Sequence, residues 1–151
     1  MLHCAIIKTN HIAKEMLFMA CCELKAYTVS DINFYNRLDP NMQIKIGNKF
    51  SYNVKYPKDG QGNICRGEFE VETGDIGEDK KLNIKVVVVG IFSYAPGATK
   101  EMVHTDSFKI LYPYVKALIT TVTANAGIKP IIIPNIDIDS QNIYRIDGNQ
   151  Q

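Results

Sequence analysis

The chain has 151 residues, enough for one domain with a modest core, and 46% of its residues are hydrophobic. Its 17 basic and 16 acidic residues leave a net charge of +1, which disfavours a strongly cationic nucleic-acid binder. Four cysteines lie at positions 4, 21, 22 and 65 without a C-x-x-C pair, and the three histidines are far apart in sequence. No metal site is therefore expected, and reduced thiols are typical of a reducing compartment.

The N-terminal residues are interpreted as a short helical or disordered extension. The apolar stretch from Met16 to Ala20 follows the charged pair Lys14 and Glu15, and it is too short for a secretion signal or a membrane span. The protein is therefore predicted to be cytoplasmic, and Met19 is an alternative natural start. The predicted organisation is an extension over residues 1–22, a domain over residues 23–140 and a tail over residues 141–151.

Four strands are predicted next, and the second has the clearest pattern. Its apolar residues alternate with polar ones, so that one face is apolar and the other faces solvent. The apolar residues are Ile44, Ile46, Phe50, Tyr52, Val54 and Tyr56. The turn residues Asp39-Pro40-Asn41 separate it from the first strand. The four strands are predicted over residues 24–35, 44–56, 64–73 and 82–94.

The fourth predicted strand is apolar on both faces between Val86 and Val89. A strand of this kind is expected to contact protein on both sides. One face can meet the chain's own helix, and the other requires a partner subunit or a ligand.

One long helix is predicted after Ala95-Pro96-Gly97, from apolar residues at helical spacing. Pro113 removes a backbone hydrogen bond, so the helix is expected either to begin near Ile110 or to kink at the proline. Gly127 is a predicted C-terminal stop. The predicted N-terminal caps are Thr105, Asp106 or Ser107.

The segment after the helix has two prolines, Pro130 and Pro134, which exclude a helix and a central strand. Five isoleucines between Pro130 and Ile138 cannot all lie bare in water. We therefore predict an extended flap that lies over the protein above an apolar crevice, held by side-chain contact alone.

Four local motifs, in this order, resemble the SecB family of chaperones over about residues 24–138. They are Tyr27-Thr28-Val29-Ser30-Asp31-Ile32-Asn33-Phe34, Gly90-Ile91-Phe92-Ser93, Leu111-Tyr112-Pro113-Tyr114 with Ile119-Thr120, and Pro134-Asn135-Ile136-Asp137. The resemblance implies an α+β fold with a four-stranded antiparallel sheet, one long helix and a proline-bounded flap. It also implies a homotetramer, a dimer of dimers, that needs neither ATP nor a cofactor and has no catalytic site.

The function implied by the resemblance is a holdase, which binds unfolded polypeptides in hydrophobic grooves, as in protein export and translocation. The implied oligomer interface is Val87, Val89, Leu111, Val115, Leu118 and Val122. We place the client-binding groove at the end of the fourth strand and along the flap, because the prolines deny the flap full ladder pairing and leave its apolar side able to contact a client. The predicted groove residues are Phe34, Ile91, Phe92, Tyr94, Tyr112, Ile131, Ile132, Ile133, Ile136 and Ile138.

Two departures disfavour coupling to the SecA motor of protein export. Asp31 matches one acid that helps to dock SecA in the family, but Tyr35 and Lys85 stand where two others are placed. An adaptor dedicated to one partner, such as an antitoxin or a mobile-element protein, is therefore the alternative function. A small enzyme is a third class, but His104 near Asp106 lacks a positioned nucleophile and is interpreted as a solvated loop histidine.

Overall fold

The structure is a computed structural model that describes residues 20–139, so residues 1–19 of the predicted extension and the whole predicted tail, residues 141–151, lie outside the described residues. A four-stranded antiparallel sheet is followed by one helix and an extended segment, which confirms the predicted fold class. The elements are β1 (Cys22–Asn36), β2 (Ile46–Lys55), β3 (Ile64–Asp75), β4 (Leu82–Tyr94) and α1 (Lys100–Asn125).

The strand order in the sheet is β1-β4-β3-β2. β2, β3 and β4 are consecutive antiparallel neighbours, whereas β1 pairs with β4 at the far side. β1 and β2 are therefore the two edge strands, although they follow each other in sequence. The connection between them, residues 37–45, must cross one end of the sheet, and we call it the crossover segment.

The sheet has one face covered by α1, the helix face, and one opposite face, the outer face. Alternation places apolar side chains on the helix face, where they form the core with α1. The fully buried members of this core include Phe69, Val71, Leu82, Ile84, Val86, Val88, Phe92, Val103, Phe108, Leu111, Val115 and Ile119.

A β-bulge in β1 keeps its apolar side chains on one face. Val29 and Ile32 are three residues apart and would face opposite sides of a regular strand. The register shifts at Ser30, between Val29 opposite Val88 and Asp31 opposite Val87, so Ile32 also reaches the helix face. The Ser30 hydroxyl donates to the Val87 carbonyl over 3.2 Å at this point.

The helix begins earlier than predicted. Its N-cap is Thr99, whose side chain accepts a hydrogen bond from the Met102 N–H over 3.2 Å, and Pro113 lies inside the helix. Of the first eight helical residues only Val103 and Ser107 are buried, so the first two turns carry a weak periodic signal. The predicted caps at Thr105 to Ser107 were wrong, whereas the predicted stop at Gly127 is confirmed by its positive φ of 76° just after the helix.

Two glycines on neighbouring strands let the helix approach the sheet. Gly67 and Gly90 are directly opposite each other in the β3–β4 pair. A Cβ atom at Gly90 would lie 2.7 Å from the Phe92 ring and 3.2 Å from a methyl group of Leu111. A Cβ atom at Gly67 would collide with the Tyr52 hydroxyl. Side chains at these positions would therefore push apart the rings that join α1 to the sheet.

His104 is a helical residue that is half-buried against the Tyr52 ring, with ring centroids 5.2 Å apart, so its interpretation as a loop histidine was wrong. Burial lowers its pKa from the ordinary 6.5 because the charged imidazolium is poorly solvated. As the pH falls, His104 therefore binds a proton more readily in the unfolded chain than in the folded one. The free energy of unfolding decreases as the pH falls below about 6.5.

We expect the urea concentration at the unfolding midpoint to be lower at pH 5.5 than at pH 7.5 in the unmodified protein. The decrease should be smaller in His104→Phe. The phenylalanine keeps a ring beside Tyr52 but cannot titrate, so it removes this source of pH dependence. Urea unfolding followed by circular dichroism at both pH values measures the difference. An equal fall in the two proteins would assign the pH dependence to other groups.

Candidate functional site

The crossover segment is anchored at both ends of its path across the sheet. The Arg37 N–H donates to the Lys81 carbonyl over 2.7 Å, and the Ile76 N–H donates to the Lys45 carbonyl over 3.0 Å. Between these anchors Asn41 has a positive φ of 65°, which closes the turn that the Asp-Pro-Asn sequence predicted. The apolar residues on either side of the turn are thereby held over the end of the sheet.

A groove of about 750 Å³ lies between the crossover segment, the end of α1 and the first residues of the flap. We call it the crossover groove. Its apolar lining consists of Leu38, Pro40, Met42, Ile44, Ile46, Leu82, Ile128 and Ile131. Its polar lining consists of Asn36, Asp39, Asn41, Gln43 and Lys129.

The crossover groove combines accessible apolar surface with hydrogen-bonding amides. Met42 and Ile46 are large hydrophobic side chains that remain exposed, and Ile46 is 42% exposed. Side-chain amides both donate and accept, so Gln43 can pair with the N–H and the carbonyl of a peptide, while Asn36, whose Oδ1 accepts from the Leu38 N–H, can donate to a carbonyl. A groove with these properties fits an extended apolar polypeptide without demanding one sequence.

The flap, residues 130–139, is extended and lies along α1. Ile131, Ile133 and Ile138 are buried, whereas Ile132 is 77% exposed. Its extended backbone and its packing over the protein are as predicted.

The flap is also held by hydrogen bonds from α1 to its main chain, which the sequence interpretation did not include. The Thr120 hydroxyl donates to the Ile131 carbonyl over 2.9 Å, and the Tyr112 hydroxyl donates to the Pro134 carbonyl over 2.5 Å. The Ile131 N–H donates to the Thr123 hydroxyl over 2.9 Å. The prediction of side-chain contact alone was therefore wrong, because proline blocks donation by its nitrogen but leaves carbonyls free to accept.

The predicted client-binding residues do not form one continuous surface. Phe34 lies at the crossover end of the sheet, opposite Ile84, whereas Ile91, Phe92 and Tyr94 lie at the other end. Phe92 is completely buried in the core, and Tyr112 is buried beneath the flap. Sequence reasoning missed the crossover groove, although Leu38, Met42 and Ile44 around a turn were a detectable signal.

The predicted interface residues divide between the interior and the surface of the chain. Leu111 and Val115 are fully buried against the chain's own sheet, while Leu118 and Val122 are half-buried. On the outer face Val87 is half-buried and Val89 is 9% exposed.

A separate apolar surface lies beside α1 at the edge strand β1, and we call it the open edge. Tyr27 is 49% exposed and packs on the ring of Tyr114 with centroids 4.8 Å apart. Ile32 is exposed on the same strand, and Leu118 lies one helical turn after Tyr114. The helix face of the sheet is therefore covered by the flap on the β2 side and left uncovered on the β1 side.

The outer face carries charges of both signs. Lys85 Nζ lies 2.9 Å from a carboxylate oxygen of Glu70, and Arg66 pairs with Glu68 over 3.3 Å. Glu70, Glu72 and Asp31 raise the pKa of Lys85, with the hydrogen bond to Glu70 as the largest cause. Asp31 therefore stands beside a lysine rather than within a purely acidic surface.

The cysteines of the described region are free thiols. Burial raises the pKa of Cys22 to about 11 and that of Cys65 to about 11, so both remain protonated at neutral pH. Within residues 20–139 no three His, Cys, Asp or Glu side chains are grouped so that they could hold a metal ion. In the same residues, no helix has the length and apolar character needed to span a bilayer.

Comparison with known proteins identifies the fold. A solved SecB-like chaperone of Mycobacterium tuberculosis, in complex with a ChAD peptide from the HigA1 antitoxin, matches with a TM-score of 0.62 and 11% identity. The match covers 87% of this chain and 97% of that chain. The chain therefore has the SecB-like fold that its motifs predicted.

Comparison of the sequence gives a shorter match, and no protein-family model matches the chain. Over 58 residues the chain is 41% identical to an uncharacterized protein of Methanocaldococcus jannaschii. The match covers 36% of this chain and 37% of that protein, so it spans little more than a third of the relative. A solved protein of unknown function from Streptococcus agalactiae gives a TM-score of 0.44 at 11% identity.

Proposed function

We propose that this protein is a chaperone that binds unfolded or extended polypeptides without ATP. The observation that carries the proposal is the crossover groove, where exposed Met42 and Ile46 lie beside the amides of Asn36 and Gln43. Apolar contact supplies most of the affinity in such a groove, and amide contacts to the main chain tolerate many sequences. The SecB-like fold supports the proposal because a chaperone of that fold is solved with a bound peptide.

We expect Met42→Ser combined with Ile46→Ser to weaken the binding of an unfolded client roughly 10- to 30-fold. Each side chain is partly exposed, so a bound client would cover its remaining apolar surface and gain about 1 kcal/mol of binding free energy at each position. Fluorescence anisotropy of a labelled, reduced and carboxymethylated protein measures the affinity. Suppression of its aggregation on dilution from urea provides a second readout.

Ile64→Ser is the matched control for the groove variant. Ile64 is 43% exposed, almost the same as Ile46, but it lies opposite Ser93 at the other end of the sheet. Its replacement should leave the affinity unchanged. Equal loss in Ile64→Ser and in the groove variant would contradict the groove as the binding site, and no binding by the unmodified protein would contradict the chaperone function.

The second candidate is an adaptor dedicated to one partner, such as an antitoxin or a mobile-element protein. The Mycobacterium tuberculosis protein of the same fold is solved with an antitoxin peptide, which supports this alternative. Affinities for several unrelated unfolded proteins separate the two functions. Similar affinities favour the general holdase, and one dominant affinity favours the adaptor.

Three further features of the resemblance belong to the same proposal. They are assembly as a homotetramer, action in the cytoplasm and coupling to protein export. The paired charges of Lys85 with Glu70 and Arg66 with Glu68 disfavour docking of a cationic surface of a motor such as SecA. Coupling to protein export is therefore the least supported of these three features.

A further inference from the structure

One side of α1 forms hydrogen bonds to main-chain atoms of the flap. Tyr112 and Thr120 donate to carbonyl groups of the flap, and Thr123 accepts from one of its N–H groups. We call Tyr112, Thr120 and Thr123 the helix stripe. Carbonyl and N–H groups are present in every polypeptide, so these contacts do not depend on which residues the bound segment carries.

The flap side chains define the kind of segment that fits the helix stripe. Ile131 and Ile133 point inward and are buried, while Ile132 between them is 77% exposed. This alternation is that of an extended chain with branched aliphatic residues at every second position. The carbonyl of Pro134 is one of the acceptors, so proline does not prevent binding.

Two polar contacts of the second half of the flap lie at the surface, although Ile138 in the same half is buried. Lys109 Nζ lies 2.7 Å from an Asp139 carboxylate oxygen in an ion pair whose side chains are both more than half exposed. Lys116 contacts the Asn135 side chain, also at the surface. Exposed ion pairs contribute little to stability, so these two contacts add little to the attachment of the flap to α1.

A groove of about 350 Å³ lies next to the second half of the flap, where an incoming client chain can make its first contact. It is lined by Phe108, Tyr112, Pro113, Ile136 and the two lysines that hold the flap. At its other end the flap reaches the crossover groove, whose lining includes Ile131. The helix stripe therefore connects two grooves that are both open to solvent.

We propose that the helix stripe is a second polypeptide-binding surface and that the flap is its resident ligand, displaced by a client. The client class is an extended segment with branched aliphatic residues at alternate positions, proline tolerated. This inference rests on the proposed function and extends it. At the helix stripe it reverses the role of the flap isoleucines, which occupy the client surface there instead of forming it.

A single tryptophan in the flap tests the displacement. The sequence contains no tryptophan, and Ile132 is exposed, so Ile132→Trp gives one fluorescent reporter in the full chain. The probe is a synthetic peptide with the sequence of residues 128–139, labelled at its end with a dye that does not absorb tryptophan emission. We expect the anisotropy of Trp emission to fall in step with the rise in anisotropy of the peptide dye. Binding of the peptide without a change in the Trp emission would overturn the displacement and leave the proposed function intact.

Loosening the flap without altering the helix stripe gives an independent test. Asp139→Asn removes the ion pair with Lys109, and it should tighten client binding about two- to fivefold because the resident ligand competes less well. Glu78→Gln, an exposed residue outside both grooves, makes the same charge change and should have no effect. Unchanged or weaker binding in Asp139→Asn would overturn the inference. Absence of client binding in every protein would overturn the proposed function along with it.

Discussion

Replacement of Phe69 by alanine should lower the free energy of unfolding by about 3–5 kcal/mol, the range for a large aromatic side chain removed from a packed core. Phe69 has no exposed surface and lies at the centre of β3 under the helix. Its ring centroid is 5.1 Å from that of Phe108, 5.3 Å from Tyr52 and 5.5 Å from Tyr112. The substitution would therefore leave a cavity between the sheet and α1, at the ring that contacts aromatic side chains of both.

Phe50→Ala is the control for this prediction. Phe50 lies on the edge strand β2, is 38% exposed, and has its ring 6.3 Å from that of Phe69. Its loss should cost about 1 kcal/mol because much of its surface is already in water. Urea unfolding followed by circular dichroism measures both variants, and similar losses in the two would show that Phe69 is not central.

The second large effect is expected at the open edge. We expect the protein to be a tetramer at micromolar concentration, and Tyr27→Lys combined with Ile32→Lys should dissociate it into smaller species. Both side chains are exposed in the single chain, and an apolar surface at an edge strand is a typical association surface. Two unpaired ammonium groups in a dry interface would cost several kcal/mol.

Light scattering measures the mass of the protein and of the variant. Ile64→Lys provides the control, because this exposed isoleucine lies on the outer face, on a strand that β4 separates from β1. It should leave the assembly intact. A stable monomer in the unmodified protein would contradict the tetramer, and an intact tetramer in the double variant would place the interface elsewhere.

The strands were predictable because their patterns are local. The predicted fourth strand, residues 82–94, is found over Leu82–Tyr94, and its apolar residues alternate between the helix face and the outer face. The helix start was not predictable in the same way, since the residues from Lys100 to Ser107 are mostly polar and only Val103 and Ser107 among them are buried. Only Thr99, a good N-cap residue directly before them, signalled the beginning.

The candidate site was less predictable because it combines distant parts of the sequence. Met42 belongs to a loop that reads locally as a turn, and Ile128 follows a helix more than 80 residues later in the chain. Their proximity depends on the strand order, in which the crossover segment passes the end of the sheet. No spacing within either segment contains that information.

The placement of β1 affects how the protein is made. Because β1 pairs with β4, the first of the four strands to leave the ribosome has no partner until the fourth has been synthesised. β2 and β3 can pair before β4 has been synthesised, since they are neighbours in both sequence and sheet and the short loop between them closes at a low entropic cost. Until then Tyr27 and Ile32 belong to an extended apolar segment exposed to the cell. Each new copy is thus, for part of its synthesis, the kind of chain that finished copies are proposed to bind.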